Sequence, residues 1–169
     1  MSFYADKFFY EALKSDDDII SMTDGRIFNP ARTTVDEKED KIPYIIISFN
    51  GLTNDTTTKD DVEGDTDTIS IAIEVTAESR ESLAELTQRI RQRIVAYYKT
   101  VRYESTPSEN DEYPIDWSFT AGPVQYDYIK PCMFQVLNYS CEFDNNTIDY
   151  ELQEEHSDDN DTGGQAQGT

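Results

Sequence analysis

Residues 41–75 read KIPYIIISFNGLTNDTTTKDDVEGDTDTISIAIEV, two β-forming runs with a polar segment between them. In the second run, isoleucine or valine at positions 69, 71, 73 and 75 alternates with small or polar residues. Successive side chains of a strand point to opposite faces, so this alternation predicts a strand over residues 67–76 with one buried face. The first run is almost continuously apolar over residues 44–49, which predicts a strand covered on both faces.

The polar segment between these strands, residues 51–66, is far longer than a hairpin requires. Hairpin loops usually have about two to five residues, whereas this segment consists largely of Thr, Asp, Asn, Gly, Glu and Lys. A loop of this length and charge is expected to be presented to a binding partner, or to the lumen if several copies of the chain form a ring. Its candidate partner-facing residues are Asp55, Asp60, Asp61, Glu63 and Asp65.

The remaining periodic segments extend the sheet and cover it. Apolar i,i+4 series predict a helix over residues 2–14, with Ser2 as N-cap, and a second helix over residues 80–101. The stripe of the second helix comprises Leu83, Leu86, Ile90, Ile94, Tyr97 and Val101. The aspartates at 16–18 are expected to end the first helix and lead into a short turn. Further strands are predicted over residues 26–28, 115–120 and 132–143, with a bend or short strand at 121–131.

This order of elements predicts an α+β domain over residues 1–144. We expect a mostly antiparallel sheet of about four to five strands, with two main helices packed on one side. Residues 145–169 contain seven acidic residues and neither Lys nor Arg. Such a segment has little apolar surface to offset its ordering entropy, so we expect a disordered acidic C-terminal tail.

The net charge of −21, from 35 acidic and 14 basic residues, restricts the partners. It disfavours binding to nucleic acid through phosphate neutralisation and binding to anionic membranes. The N-terminal segment matches neither a signal peptide nor a membrane span. Cys132 and Cys141 are nine residues apart in one predicted strand, so they point to opposite faces and are expected to be reduced core residues.

Catalytic patterns are missing from the sequence, so we expect no enzymatic activity, no cofactor and no metal. The single histidine, His156, lies in the acidic tail, and no zinc-binding, redox or phosphate-loop motif occurs. The segment around Gly64 faintly resembles a calcium loop. That reading places Lys59 at its first position and Ser70 at its twelfth, where carboxylates are required.

The second helix is basic in an otherwise acidic chain. Long basic side chains are common on solvated helix faces, which is the simpler interpretation. The alternative is a cationic patch that meets an acidic patch on the next identical subunit, a head-to-tail contact that can close into a ring. Salt would dissolve a ring closed in this way. The candidate patch residues are Arg80, Arg89, Arg91, Arg93 and Arg102.

Two stretches resemble the tail-terminator, or tail-completion, proteins of tailed bacteriophages. They are the Pro-Tyr-Ile strand at residues 43–49 and residues 68–94, where an alternating strand leads directly into an amphipathic helix containing Arg-Ile-Arg. The order of elements is similar over residues 3–143. The long acidic loop and the acidic tail depart from the compact members of the family.

The resemblance implies a non-enzymatic structural protein of the virion. Such proteins assemble in the host cytoplasm as rings, usually homo-hexamers, at the head-tail junction. There they end polymerisation of the tail tube and dock to neck or connector proteins, while DNA passes through the lumen as cargo. In such a ring, the loop 51–66 would line the lumen and repel phosphate, or act as an arm that orders on docking.

A second hypothesis is an acidic inhibitor that mimics DNA and blocks a nucleic-acid-binding protein. The net charge of −21 and the small size fit this class. The basic second helix argues against a uniformly negative face, and the acidic residues concentrate in loop and tail. The oligomeric state separates the two hypotheses, because mimics are commonly monomers or dimers.

Overall fold

The computed structural model describes residues 5–29, 41–54, 66–104 and 114–144, and all structural statements below concern these residues. The helices are α1 (Asp6–Lys14), α2 (Asp17–Thr23) and α3 (Arg80–Lys99), the last continued by a π-helical segment at Thr100–Glu104. The strands are β1 (Ile27–Phe28), β2 (Tyr44–Asn54), β3 (Thr66–Ala77), β4 (Asp116–Ala121), β5 (Gln125–Asp127) and β6 (Cys132–Asp144).

The strands form one six-stranded sheet in the order β1-β2-β3-β6-β4, with β5 also paired to β6. Every pairing is antiparallel except that of β1 with β2, which is parallel. The predicted α+β class with a mostly antiparallel sheet is therefore confirmed. The sheet has more strands than the four to five predicted, because the segment between β4 and β6 contains β5 as well as a bend.

The core lies between one face of the sheet and the helices. Ile69, Ile71, Ile73 and Val75 of β3 are fully buried, as the alternation predicted. The register places Ile73 opposite Leu137 of β6 and opposite Ile47 of β2, so neighbouring strands add to the same apolar face. Burying each such side chain contributes about 1.5–3 kcal/mol, and this face therefore provides much of the driving force for folding.

Helix α3 covers this face with the predicted stripe. Leu83, Leu86, Ile90 and Ile94 are buried, while Tyr98 takes the buried position at the next turn and Tyr97 is only partly buried. Ser79 is the N-cap, and its hydroxyl accepts a hydrogen bond of 3.2 Å from the Ser82 amide. The predicted strand-to-helix passage is thus present as a short connection between β3 and α3.

The N-terminal region differs from the prediction, because the aspartates after α1 begin a second helix. Asp16 is the N-cap of α2, and its Oδ1 accepts hydrogen bonds of 3.1 Å from the amides of Asp18 and Ile19. Helix α2 ends at Thr23, and its C-cap residue, Asp24, adopts the left-handed conformation with φ of 52°. The expected turn is therefore a seven-residue helix. The predicted N-cap of α1, Ser2, lies outside the described residues.

Strand β2 is not covered on both faces, contrary to the expectation from its apolar run. Ile45 and Ile47 are fully buried toward the helices, whereas Tyr44, Ile46 and Ser48 on the other face are only partly buried. No described helix packs against that second face. A bulge between Phe49 and Gly51 bends the strand; Gly51 has φ of 143°, a conformation that favours glycine.

Candidate interaction surfaces

The predicted acidic loop leaves the sheet from a firmly paired strand end. The Asn54 side-chain amide donates to the Thr66 carbonyl at 3.2 Å and to Asp67 Oδ1 at 2.8 Å, which ties the end of β2 to the start of β3. Asp67 is itself buried. The five predicted loop residues lie outside the described residues, namely Asp55, Asp60, Asp61, Glu63 and Asp65.

Three acidic segments of the sequence are attached to this same end of the sheet. Thr66 is paired with Asp144, after which residues 145–169 follow. The Tyr98 hydroxyl donates to the Ile115 carbonyl at 3.1 Å, so the end of α3 also lies here, with residues 105–113 between them. Together, residues 55–65, 105–113 and 145–169 contain 15 of the 35 acidic residues and one of the 14 basic residues. We call this end of the sheet the acidic end.

The opposite end of the sheet has an apolar character that sequence reasoning missed. The connection from β4 through β5 to β6 exposes four large apolar side chains, and residues 124–130 are called the apolar hairpin below. Their exposed fractions are 44% for Val124, 44% for Tyr126, 88% for Tyr128 and 92% for Ile129. The available signal was the run Val-Gln-Tyr-Asp-Tyr-Ile, which lies between two prolines and places four large apolar residues in and beside a very short strand.

The tip of the apolar hairpin is held in a defined shape. Asp127 Oδ1 accepts hydrogen bonds from the Ile129 amide at 2.8 Å and the Lys130 amide at 3.3 Å. The rings of Tyr126 and Tyr128 meet edge to face, with centroids 4.8 Å apart. Because side-chain hydrogen bonds already order this turn, the hairpin would lose little conformational entropy on binding a partner.

The five candidate patch arginines do not form one patch, because they lie on different sides of α3. Arg89 and Arg93 face the N-terminal helices, and Arg93 donates to the Ala12 carbonyl at 3.2 Å. Arg91 lies over the Phe119 ring of β4 at 4.8 Å, and Arg102 donates to the Ile115 carbonyl at 3.1 Å. Arg80 is exposed at the first turn of the helix. The role of these residues between subunits stays a prediction.

Arg89 and Asp16 form the link that fixes α2 against α3. Arg89 Nη2 lies 3.0 Å from Asp16 Oδ2 and 2.7 Å from Asp18 Oδ2, and its Nε donates to both Asp16 oxygens at 3.2 Å. Burial raises the pKa of Asp16, but the hydrogen bonds from the Ile19 amide and Arg89 and the charge of Arg89 together hold it below its ordinary value. Asp16 therefore stays ionised in the native state.

A groove lies between α2 and α3 beside this link and is called the α2–α3 groove. Its volume is about 430 Å³. Met22 supplies an apolar wall, Asp18 and Glu85 supply carboxylates, and Gln88 supplies an amide. The full lining consists of Asp18, Ser21, Met22, Glu85, Gln88, Arg89 and Gln92.

The described residues assemble no metal-ligating group of three or more His, Cys, Asp or Glu side chains. Within the same ranges, no helix is long and apolar enough to cross a membrane. Cys132 and Cys141 are both buried and unpaired, as predicted. Burial raises the pKa of Cys141 to about 12. His156 lies outside the described ranges.

Comparison with known proteins gives a structural match without a sequence match. No protein-family model matches the chain. No curated protein matches its sequence. The fold is similar to a chain in a solved structure described as the virion of a native gene transfer agent (GTA) particle, with a TM-score of 0.54. The match covers 82% of this chain and 93% of that chain at 9% identity, so it concerns the fold.

Proposed function

We propose that the chain is a structural protein of a virion that forms a ring at the head-tail junction. In this role it ends assembly of the tail tube and docks to neck or connector proteins, while DNA passes through the lumen. The proposal rests on the similarity in fold to a chain of a gene transfer agent virion over 93% of that chain. The tail-terminator resemblance of residues 43–49 and 68–94 supports the more specific position. We assign the ring no catalytic step and no cofactor.

The chemical difference between the two ends of the sheet supports a subunit that makes contacts of two kinds. The acidic end provides the attachment of three segments rich in carboxylates, and the other end exposes Tyr128 and Ile129. In the proposed ring, the carboxylates suit the lumen, and the exposed apolar side chains suit a contact with another protein surface.

The acidic segments suit a lumen through which DNA slides. Carboxylates repeated by each copy around the opening would repel phosphate groups and prevent DNA from binding to the wall. In this proposal, residues 55–65 provide Asp55, Asp60, Asp61, Glu63 and Asp65 to the DNA path. Replacing these five residues by Asn or Gln should leave ring assembly intact and slow DNA ejection, which a fluorescence assay of DNA release measures.

Deletion of the gene from the particle's producer tests the proposed position. We expect filled heads and separate tail tubes, many of abnormal length, which electron microscopy of the lysate distinguishes from whole particles. Supplying the wild-type chain in trans should restore joined particles. Normal particles in the deletion strain, or empty heads with normal attached tails, would contradict a role at the junction.

A further inference from the structure

The apolar hairpin exposes more apolar side-chain surface than any other described connection. Tyr128 and Ile129 are almost fully exposed, and both stand on a turn that Asp127 holds in shape. Exposed apolar surface that is rigid and contiguous is typical of a binding site, because it loses water on contact and costs little to order. Aromatic side chains in such positions commonly carry most of the binding energy of an interface.

The charge of the hairpin also sets it apart from the rest of the C-terminal half. Lys130, at its tip, is the sole Lys or Arg in the sequence after Arg102, within a segment that otherwise carries only acidic charges. Two copies with a net charge of −21 each repel one another over most orientations. Approach through the tip of the hairpin therefore meets less repulsion than approach through the acidic end.

The α2–α3 groove offers a complementary surface at the other edge of the sheet. Helix α2 leads directly into β1, the edge strand opposite to the edge formed by β4 and β5. Met22 can contact an apolar side chain, and Glu85 can attract the ammonium group of a lysine, whereas the charge of Asp18 is already paired with Arg89. The volume of about 430 Å³ falls within the ~300–1,000 Å³ of pockets that hold whole small ligands, so it can hold a large side chain.

We propose that the apolar hairpin of one copy docks into the α2–α3 groove of the next copy. Tyr128 and Ile129 enter the groove against Met22, and Lys130 pairs with Glu85 of the next copy. This inference rests on the proposed ring and names the contact that closes it. Because hairpin and groove are different surfaces at opposite edges, the contact is head-to-tail, which is the geometry that produces a ring.

The proposed contact reverses the salt dependence that an arginine patch would give. A ring closed by opposed charges dissociates when salt screens those charges. A ring closed by apolar side chains between strongly acidic copies is strengthened, because salt screens the repulsion and leaves the apolar contact in place. Raising the salt from about 0.05 M to about 0.5 M, which shortens the screening length severalfold, should therefore promote assembly.

Two complementary variants test the contact. The hairpin variant carries Tyr128→Ser and Ile129→Ser, and the groove variant carries Gln88→Trp, which fills the groove of an otherwise intact chain. Val95→Thr is the matched control, since Val95 is an exposed apolar residue outside both surfaces. Circular dichroism and thermal unfolding establish that each variant is folded, and sedimentation gives the mass of the particles.

The expected result is that wild type and control assemble, each variant alone is a monomer, and an equal mixture forms a dimer. The mixture contains one intact hairpin and one intact groove, so it can make one contact and no more. Its mass should be twice the 19.4 kDa of the chain. We expect the dissociation constant of the single contact to rise at least tenfold in either variant, because removing one hot-spot residue of an interface commonly weakens binding by about this factor or more.

A charge exchange provides an independent readout on variants with little change in shape. Glu85→Lys should weaken assembly by placing a positive charge opposite Lys130, and adding Lys130→Glu should restore it. A wild-type ring that persists in both the hairpin and groove variants would overturn the docking proposal while leaving the ring proposal standing. A wild type that stays monomeric at its highest soluble concentration would overturn the docking and count against self-assembly of the ring.

Discussion

Substitution of Asp16 should clearly lower the stability of the fold, because one side chain performs two tasks. Its carboxylate caps α2 through the amides of Asp18 and Ile19, and it binds Arg89 of α3. We compare Asp16→Ala, which removes both interactions, with Asp16→Asn, which retains a capping oxygen and removes the charge. Asparagine and aspartate are comparable as N-caps, so the pair of variants separates the two tasks.

The expected loss of unfolding free energy follows from the cost of losing an N-cap and from the exposure of the Asp16–Arg89 ion pair. Loss of an N-cap costs about 1 kcal/mol, with a range of roughly 0.5–2 kcal/mol. The Arg89 side chain is 40% exposed, so solvent screens the ion pair, and we expect at most about 1 kcal/mol from the charge of Asp16. Asp16→Ala should therefore lower the free energy of unfolding by about 2 kcal/mol, and Asp16→Asn by about half of that.

Urea unfolding followed by circular dichroism measures these free energies, and its pH dependence tests the charge. The pKa of Asp16 is lowered in the native state, so the unfolded state binds the proton more readily. The advantage of wild type over Asp16→Asn is then complete at neutral pH and disappears as the pH falls below about 4. An Asp16→Ala variant within about 0.5 kcal/mol of wild type would refute the reasoning, since changes of that size are ordinary at surface positions.

Three further predictions concern the sheet. Ile73→Ala should lower the free energy of unfolding by roughly 2–5 kcal/mol, because Ile73 is fully buried at the centre of the core; a loss under about 1 kcal/mol in urea unfolding would contradict this placement. Thr76→Val should leave the thermal midpoint of unfolding unchanged or raise it, because the buried Thr76 hydroxyl has no hydrogen-bond partner among the described residues. A clear fall in the midpoint would show that the hydroxyl does have such a partner. Cys141 should resist thiol reagents in the native state and react on unfolding, because it is buried and its pKa is raised to about 12; rapid native labelling at this position would contradict the register of β6.

The sequence predicted the parts of the fold that depend on strong periodicity. The alternation of Ile69, Ile71, Ile73 and Val75 identified β3 and its buried face, since only a half-buried strand needs that pattern. The apolar stripe from Leu83 to Ile94 identified α3, because apolar residues spaced three or four apart form one buried face of a helix. These two elements form the central part of the core, so the α+β class followed from them.

Other parts depended on choices that local sequence leaves open. An aspartate can end one helix or begin another, and Asp16 as N-cap of α2 also binds Arg89, which is 73 residues away and cannot be recognised as a partner from local sequence. The parallel pairing of Ile27 with Ile45 depends on where α2 ends relative to β2. A strand of two residues is too short for its sequence to indicate a parallel or antiparallel orientation.

The candidate sites were harder to predict than the fold. Charge composition alone suggested a basic surface on α3, but Arg89, Arg91 and Arg93 contact other parts of the same chain. The apolar hairpin was missed because exposure depends on what packs nearby, and Tyr128 resembles a core residue in sequence. That the acidic segments attach to the same end of the sheet became apparent only from the register that pairs Thr66 with Asp144.

The solution mass of the purified chain, with electron micrographs of the same sample, tests the proposed ring most directly. We predict a closed ring with a central hole, most often of six copies of the 19.4 kDa chain, that becomes more populated as salt is raised. A ring that dissolves at high salt would support closure by charge and contradict the apolar contact. A monomer at all salt and protein concentrations would contradict self-assembly and favour the acidic inhibitor instead.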